Sequence, residues 1–146
     1  SLARTEQIFA YLFFSLPIAF MMTRKIQTNY LTDSGLLILV ASMSMGMTAD
    51  ALGADTRFTE MSDAISVTAF SSTLLGAAIC GLGLLQTTIF PKWLSGLFTI
   101  IASLAFILLA TSEPSDLDTS IILIPAFLSF HLILVVLGIF MIRQSE

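Results

Sequence analysis

The sequence contains little charge, one histidine and one cysteine, and these shortages exclude several classes of protein. Only 11% of the 146 residues are charged. The lone cysteine, Cys80, cannot form an internal disulfide or a metal site built from cysteines. The six Lys and Arg residues form no basic run and the net charge is −4, which argues against nucleic-acid binding.

Common catalytic motifs are also missing from the sequence. It has no Gly-rich phosphate loop, no Gly-x-Ser-x-Gly turn and no His-Glu-x-x-His helix. No nucleophile, base and orienting residue can be assembled from the remaining polar groups. We therefore expect a protein that is not an enzyme.

Long apolar segments take the place of these features. Hydrophobic residues make up 56% of the chain and the mean hydropathy is +0.95, with the charges gathered in short clusters between apolar stretches. About 20 apolar residues are needed to cross the roughly 30 Å hydrocarbon core of a bilayer. The pattern predicts an all-α, polytopic transmembrane helical bundle forming one domain over residues 1–146. Five spans are predicted, at about 5–24, 34–52, 63–90, 92–111 and 117–142.

Turn and capping residues suggest where these spans begin. The first apolar stretch is followed by Arg24 and Lys25 and not by a small-residue cleavage site, so we interpret it as a retained span. The helix starts are then assigned from three local signals: Asp33 or Ser34 as the N-cap of the second span, Pro91 in the first turn of the fourth, and a Ser115-x-x-Asp118 capping box before the fifth.

The distribution of Lys and Arg predicts the orientation of the bundle. With five spans, one side receives Arg24, Lys25, Lys92 and Arg143, and the other receives Arg4 and Arg57. Because cytoplasmic connectors of membrane proteins carry an excess of Lys and Arg, the first side should be cytoplasmic. This places the N-terminus outside and the C-terminus inside.

His131 is the strongest single candidate for a functional residue, because it lies near the middle of the fifth span. An ionisable group at that depth is costly unless it faces the interior of the bundle. It could relay a proton, ligate a haem or pigment, or hydrogen-bond a quinone or lipid. The simpler alternative is a neutral imidazole that bonds a neighbouring helix, and both interpretations stay open.

Two further polar residues are candidates for transport or for a polar cluster. Asp50 shares one face of the second span with Ser42, Gly46 and Gly53, where it could bind a cation or hold a neighbouring helix. Its position near the end of the span also allows simple exposure to interfacial water. Gln86 could line a polar vestibule at the other side of the membrane.

Small residues on two spans predict close helix packing. The third span carries Ser72, Gly76, Cys80 and Gly83 along one stripe, and Ser42 and Gly46 lie on one face of the second span. Small residues about one turn apart let helix backbones approach each other in lipid. The third span should therefore be central in the bundle or meet another subunit.

The C-terminal half resembles part of a known family. Its segments GLGLL (81–85), FPKWLSGL (90–97) and LIPAFLSFHLILVVLGIFMIR (123–143) are similar to an uncharacterised bacterial multi-pass membrane family, a domain of unknown function with a Pro-Lys/Arg-Trp-Leu turn. The resemblance implies a helical bundle in the bacterial inner membrane and supplies no catalytic residues.

These observations favour a non-catalytic integral membrane subunit that packs against a larger complex, a partner chain or further copies of itself. One alternative is a carrier or channel for a small solute or proton that uses His131. A second is a membrane-embedded protein that binds a cofactor, pigment or lipid at His131.

Overall fold

The described part of the chain consists of four α-helices and one short 3₁₀ turn. The computed structural model describes residues 29–53, 55–111 and 123–143. The helices are α1 (Tyr30–Gly53), α2 (Thr59–Leu85), α3 (Lys92–Thr111) and α4 (Leu123–Arg143), with the 3₁₀ turn at Thr56–Phe58. No strand occurs within these ranges, which confirms the all-helical prediction for this part of the chain.

Three of the helical segments are long and apolar enough to cross a membrane: Tyr30–Gly53, Thr56–Leu85 and Lys92–Thr111. A shorter apolar stretch, Leu128–Phe140, lies within α4. The bounds of α3 agree with the predicted fourth span. The predicted first span and the predicted Ser115-Asp118 capping box lie outside the described residues.

The start of α1 differs from the sequence prediction. The helix begins at Tyr30, and its N-terminal cap is Asn29 instead of Asp33 or Ser34. The Asn29 Oδ1 atom accepts hydrogen bonds from the Thr32 backbone N–H at 2.9 Å and from the Thr32 hydroxyl at 3.0 Å. Asparagine is among the best N-cap residues because its short side chain reaches the unpaired N–H groups of the first turn. Asp33 and Ser34 are therefore helical and exposed.

The connection between α2 and α3 is also one turn longer than predicted. Helix α2 ends at Leu85 and not near Phe90, and the Thr87 hydroxyl donates to the Leu84 carbonyl at 2.8 Å. Pro91 immediately precedes α3, so it does not occupy the first turn. Its carbonyl accepts hydrogen bonds from the N–H groups of Leu94 and Ser95.

Helix α2 lies in the middle of the described bundle. It packs most extensively against α1, which runs antiparallel to it, and it also packs against α3, which in turn contacts α4. The buried side chains form one continuous apolar cluster through all four helices, which includes Leu36, Leu74, Leu94, Phe98, Phe130 and Ile133.

Candidate binding and packing sites

The α1–α2 contact brings two helix backbones together at a pair of glycines. A Cβ atom built on Gly35 would lie 2.6 Å from the Gly76 carbonyl oxygen, and one built on Gly76 would lie 2.9 Å from the Gly35 carbonyl oxygen. The backbone of Cys80 also touches the Gly35 position. No side chain fits between these atoms, so this contact depends on both residues being glycine.

Helices α1 and α2 form a helical hairpin, and Asn29 links them by hydrogen bonds at its open end, opposite the turn that connects the two helices. Its Nδ2 atom donates to the Gly83 carbonyl at 2.9 Å and to the Gln86 Oε1 atom at 3.2 Å, while its Oδ1 atom caps α1. A Cβ on Gly83 would lie 2.7 Å from Asn29 Oδ1 and would also meet Thr32. One asparagine side chain therefore both starts α1 and bonds the end of α2.

Ser62 links the two helices by a hydrogen bond at the loop end of the hairpin, close to the turn that connects α1 to α2. Its buried hydroxyl donates to the Ala49 carbonyl at 2.8 Å across the helix pair. A Cβ on Gly53 would lie 2.7 Å from the Ser62 hydroxyl oxygen. Sequence reasoning missed both Asn29 and Ser62. Asn29 could have been found as an N-cap with Thr32 at the third helical position, whereas Ser62 carries no such local signal.

An exposed turn joins α1 to α2 at the loop end. Asp55 accepts hydrogen bonds from the side chain and the backbone N–H of Arg57, and the closest contact joins Arg57 Nη2 to Asp55 Oδ2 at 2.7 Å. The side-chain hydrogen bond from Arg57, followed by its backbone hydrogen bond, lowers the pKa of Asp55. The Arg57 guanidinium also lies 5.6 Å from the centre of the Phe58 ring.

The α2–α3 contact contains one polar group without a partner. Gly81 meets Thr99 and Phe98, and the Thr99 hydroxyl donates back to the Ser95 carbonyl of its own helix at 2.8 Å. Within the described ranges, the Ser95 hydroxyl is fully buried and has no hydrogen-bond partner. Such an unpaired buried hydroxyl lowers the stability of the fold.

The candidate polar residues Asp50 and Gln86 lie at opposite ends of the hairpin. Asp50 is exposed near the end of α1, whereas Gln86 follows α2 at the level of Asn29. Twenty residues of helix separate these levels, a distance of about 30 Å. The structure therefore does not bring Asp50 and Gln86 into one polar cluster.

The predicted packing residues have different environments. Gly76, Cys80 and Gly83 are buried, while Ser72 is half-buried. Ser42 is also buried, but its hydroxyl donates to the Ile38 carbonyl of its own helix at 2.7 Å.

Gly46 departs from the packing prediction, since a Cβ there would have no atom within 4 Å among the described residues. It lies about 16 Å along α1 from the backbone contact at Gly35. The helices meet again beyond Gly46, where Ser62 of α2 reaches Ala49 and Gly53, so the open space at Gly46 is local.

His131 lies on the outside of the described bundle. The inner face of α4 consists of Phe130, Ile133 and Leu137, which are buried, and the Phe130 ring stacks on Phe98 with a centroid distance of 5.8 Å. The exposed residues Leu128, His131, Leu132, Val135 and Ile139 form the outer face of α4. The imidazole meets the edge of Phe130 at 5.9 Å between ring centroids.

The described helices do not enclose His131, and its role stays a prediction. Its residue number places it two positions, about 3 Å, from the middle of α4, so it lies far from either end of that helix. Because α4 is apolar all round, no contrast between polar and apolar faces could have identified its buried side from sequence.

Among the described residues, no group of three or more His, Cys, Asp or Glu side chains is placed to hold a metal ion. No family model matches this chain, and no curated protein or solved structure is significantly similar to it. The similarity of segment 81–143 to the multi-pass family stays a prediction.

Proposed function

We propose that this chain is a non-catalytic integral membrane subunit that binds another membrane protein chain through the outer face of α4. The observation that carries the proposal is the position of His131, which is exposed near the middle of an apolar helix. Ionisable residues within transmembrane helices usually face protein or a water-filled cavity and not lipid.

The remainder of the described surface supports this assignment. Asn29 and Ser62 make their side-chain hydrogen bonds within the α1–α2 pair, and the exposed face of α3 carries Leu97, Ile100, Leu104 and Ile107, which lipid can cover. The outer face of α4 combines a similar apolar surface with an imidazole. This combination favours protein as the neighbour of α4.

Native mass measurement after extraction in a mild detergent or a lipid nanodisc tests the proposal. We expect a mass larger than that of one chain, from a second protein or a further copy. A single chain with no co-purifying protein, obtained also from nanodiscs, would contradict the proposal.

The proposed topology has five spans, with the N-terminus outside and the C-terminus inside a bacterial inner membrane. Exposed Arg57 and exposed Lys92 then lie on opposite sides. In intact cells, an impermeant thiol reagent should modify an Arg57→Cys variant and should modify a Lys92→Cys variant only after permeabilisation. Labelling of the position 92 variant from outside would contradict this orientation.

A bound cofactor is the second candidate function, and the open space on α4 favours it. A Cβ on Gly138, seven residues after His131, would have no atom of the described residues within 4 Å. A flat pigment or haem could therefore lie along α4 with His131 as its single axial ligand. Purified protein should then absorb visible light, and a His131→Leu variant should lose the band. A featureless visible spectrum would remove this candidate.

A further inference from the structure

The outer face of α1, on the side away from α2, is lined by small residues. With 3.6 residues per turn, Ser44 lies on the opposite side of α1 from Gly35, which contacts α2. Ala41, Thr48 and Ala51 lie beside Ser44 at spacings of three and four residues, so they share its face. All four are exposed, and we call them the α1 groove.

Larger side chains border the α1 groove and make it concave. Val40 and Met47 lie on one side, Met45 lies on the other, and Leu37 lies at one end. The exposed face of α3 differs, because four large side chains project from it: Leu97, Ile100, Leu104 and Ile107. Small residues let a second helix approach closely in lipid. The α1 groove therefore fits a helix, whereas the face of α3 is suited to lipid tails.

The two hydroxyl groups in the α1 groove are hydrogen-bonded within α1. Ser44 donates to the Val40 carbonyl at 3.1 Å, and Thr48 donates to the Ser44 carbonyl at 3.1 Å. An occupant therefore need not supply a hydrogen bond at either position. This favours an apolar helix as the occupant.

The chain before Asn29 contains such a segment. Residues 5–24 are the predicted first span, and residues 8–22 include five aromatic side chains. Only residues 25–28 separate this segment from Asn29, so the connection can reach at most about 18 Å. Packed helices lie about 8–10 Å apart, and short connections usually join neighbours. The connection therefore favours a direct neighbour of α1 over a position beyond α2.

Counting residues outward from this connection matches the depths of the two segments. In an antiparallel pair, Arg24 lies level with Tyr30, and Phe13 then lies level with Ala41. Phe9 lies one helical turn beyond Phe13, so the two rings share one face. Large side chains opposite small ones interlock as knobs and holes in packed helices.

We propose that segment 5–24 packs into the α1 groove, with Phe9 and Phe13 against Ala41 and Ser44. Helix α1 is then held between α2 on one side and this segment on the other. The groove is separate from the outer face of α4, so this proposal and the proposed membrane subunit can fail independently.

Photo-cross-linking of the full-length chain in native membranes tests the contact. A diazirine analogue of leucine replaces Leu37 beside the groove or, as the control, Leu104 on α3, whose exposed fractions are 68% and 56%. Trypsin cuts after Arg24, Lys25 and Arg57, which separates segment 5–24 from α1. We expect position 37 to link peptide 5–24 to peptide 26–57 in a product of single-chain mass, and position 104 to give no link to peptide 5–24.

The other products of this experiment overturn the proposal. Lipid adducts alone at position 37 would show that lipid covers the groove. A product of two-chain mass would show that a second copy covers it, and an adduct with a different protein would identify another occupant. Equal linking of peptide 5–24 from positions 37 and 104 would also contradict a specific contact.

Filling the groove provides a second test. Ala41→Leu should reduce the position 37 cross-link to peptide 5–24 several-fold and lower the unfolding temperature in detergent, because it fills the space for the rings. Ala110→Leu is the control, since Ala110 is exposed on α3, and it should change neither. An Ala41→Leu variant with the original cross-link yield and unfolding temperature would contradict the proposal.

Discussion

The two ends of the helix series are held together in different ways. Helices α1 and α2 meet at backbone level through Gly35 and Gly76, and side-chain hydrogen bonds cross the pair at both ends. Helices α3 and α4 share a smaller contact in which Phe98 stacks on Phe130. In lipid, helix association depends on close packing and hydrogen bonds, since the hydrophobic effect gives little preference for one apolar neighbour over another.

This difference suggests that the α1–α2 pair stabilises the fold and that α4 provides a surface for a partner. In the α1–α2 pair, the contacts of Gly35, Gly76, Asn29 and Ser62 are made within the pair. Helix α4 keeps its imidazole and its regularly spaced apolar side chains outside. A partner chain should therefore affect α4 strongly and leave the α1–α2 contact unchanged.

The largest expected effect comes from filling the backbone contact. A Gly35→Leu substitution would place a side chain against the backbone of Gly76 and Cys80, neither of which can move without shifting α2. Overpacking costs about 1–3 kcal/mol and more where the neighbours are fixed, so the hairpin should open. Thermal unfolding of the purified protein in detergent measures the loss.

Gly46→Leu is the matched control, because a Cβ at Gly46 meets no atom within 4 Å in the part of the chain that the structure describes. It should leave the unfolding temperature nearly unchanged or raise it slightly, since leucine favours helix more than glycine does. Equal destabilisation by the two substitutions would contradict the backbone contact.

The next largest effect concerns the hydrogen bonds of Asn29 at the open end of the α1–α2 hairpin. Asn29→Ala removes both the cap of α1 and the hydrogen bond to the Gly83 carbonyl, and we expect a loss of about 1–2 kcal/mol. Gln86→Ala removes only the longer, exposed hydrogen bond to Asn29 and should cost much less. Reversible unfolding in mixed micelles compares the two variants, and a larger loss for Gln86→Ala would be inconsistent with the observed tie.

A pair of serine substitutions distinguishes a bonded hydroxyl from an unpaired one. Ser62→Ala should lower the free energy of unfolding by about 1 kcal/mol, because the Ala49 carbonyl loses its side-chain donor. Ser95→Ala should be neutral or stabilising, since the hydroxyl that it removes is buried without a partner. The same micelle assay checks both, and similar losses for the two would refute the assignment.

The smallest effect is the pH response of the exposed turn. The hydrogen bonds from Arg57 lower the pKa of Asp55 in the folded state, so they stabilise the turn at and above the ordinary carboxyl pKa of 3.8. This stabilisation is lost as the pH falls through the lower folded pKa. Carboxyl-carbon NMR should show Asp55 titrating below the ordinary value, and an Arg57→Gln variant should raise its pKa part of the way back, since the backbone N–H of residue 57 remains. An unchanged titration in that variant would contradict the pairing.

Parts of this architecture could be predicted from sequence because single residues determine them. Pro91 cannot continue a helix, and the charge of Lys92 separates two apolar stretches, so the start of α3 was predicted well. The start of α1 was predicted too late because Asp33 and Ser34 are also good capping residues. Only the contact of Asn29 with Gly83, 54 residues away, separates these alternatives.

The candidate site was harder to predict than the fold. The position of His131 near the middle of an apolar segment was evident, but its direction was not. The inward face of α4 is set by the stacking of Phe130 on Phe98, a contact between residues far apart in sequence. Similarly, Gly46 matches a packing stripe as well as Gly76 does, and only the contacts in the folded structure distinguish the two glycines.

The most direct measurement of the central claim is photo-cross-linking in native membranes from two exposed positions. A photoreactive side chain is introduced at Leu132 on α4 or at Ile100 on α3, whose exposed fractions are 67% and 58%. We predict that position 132 forms adducts with protein and that position 100 forms adducts with lipid alone. Lipid adducts alone at both positions would contradict the claim that the outer face of α4 binds protein.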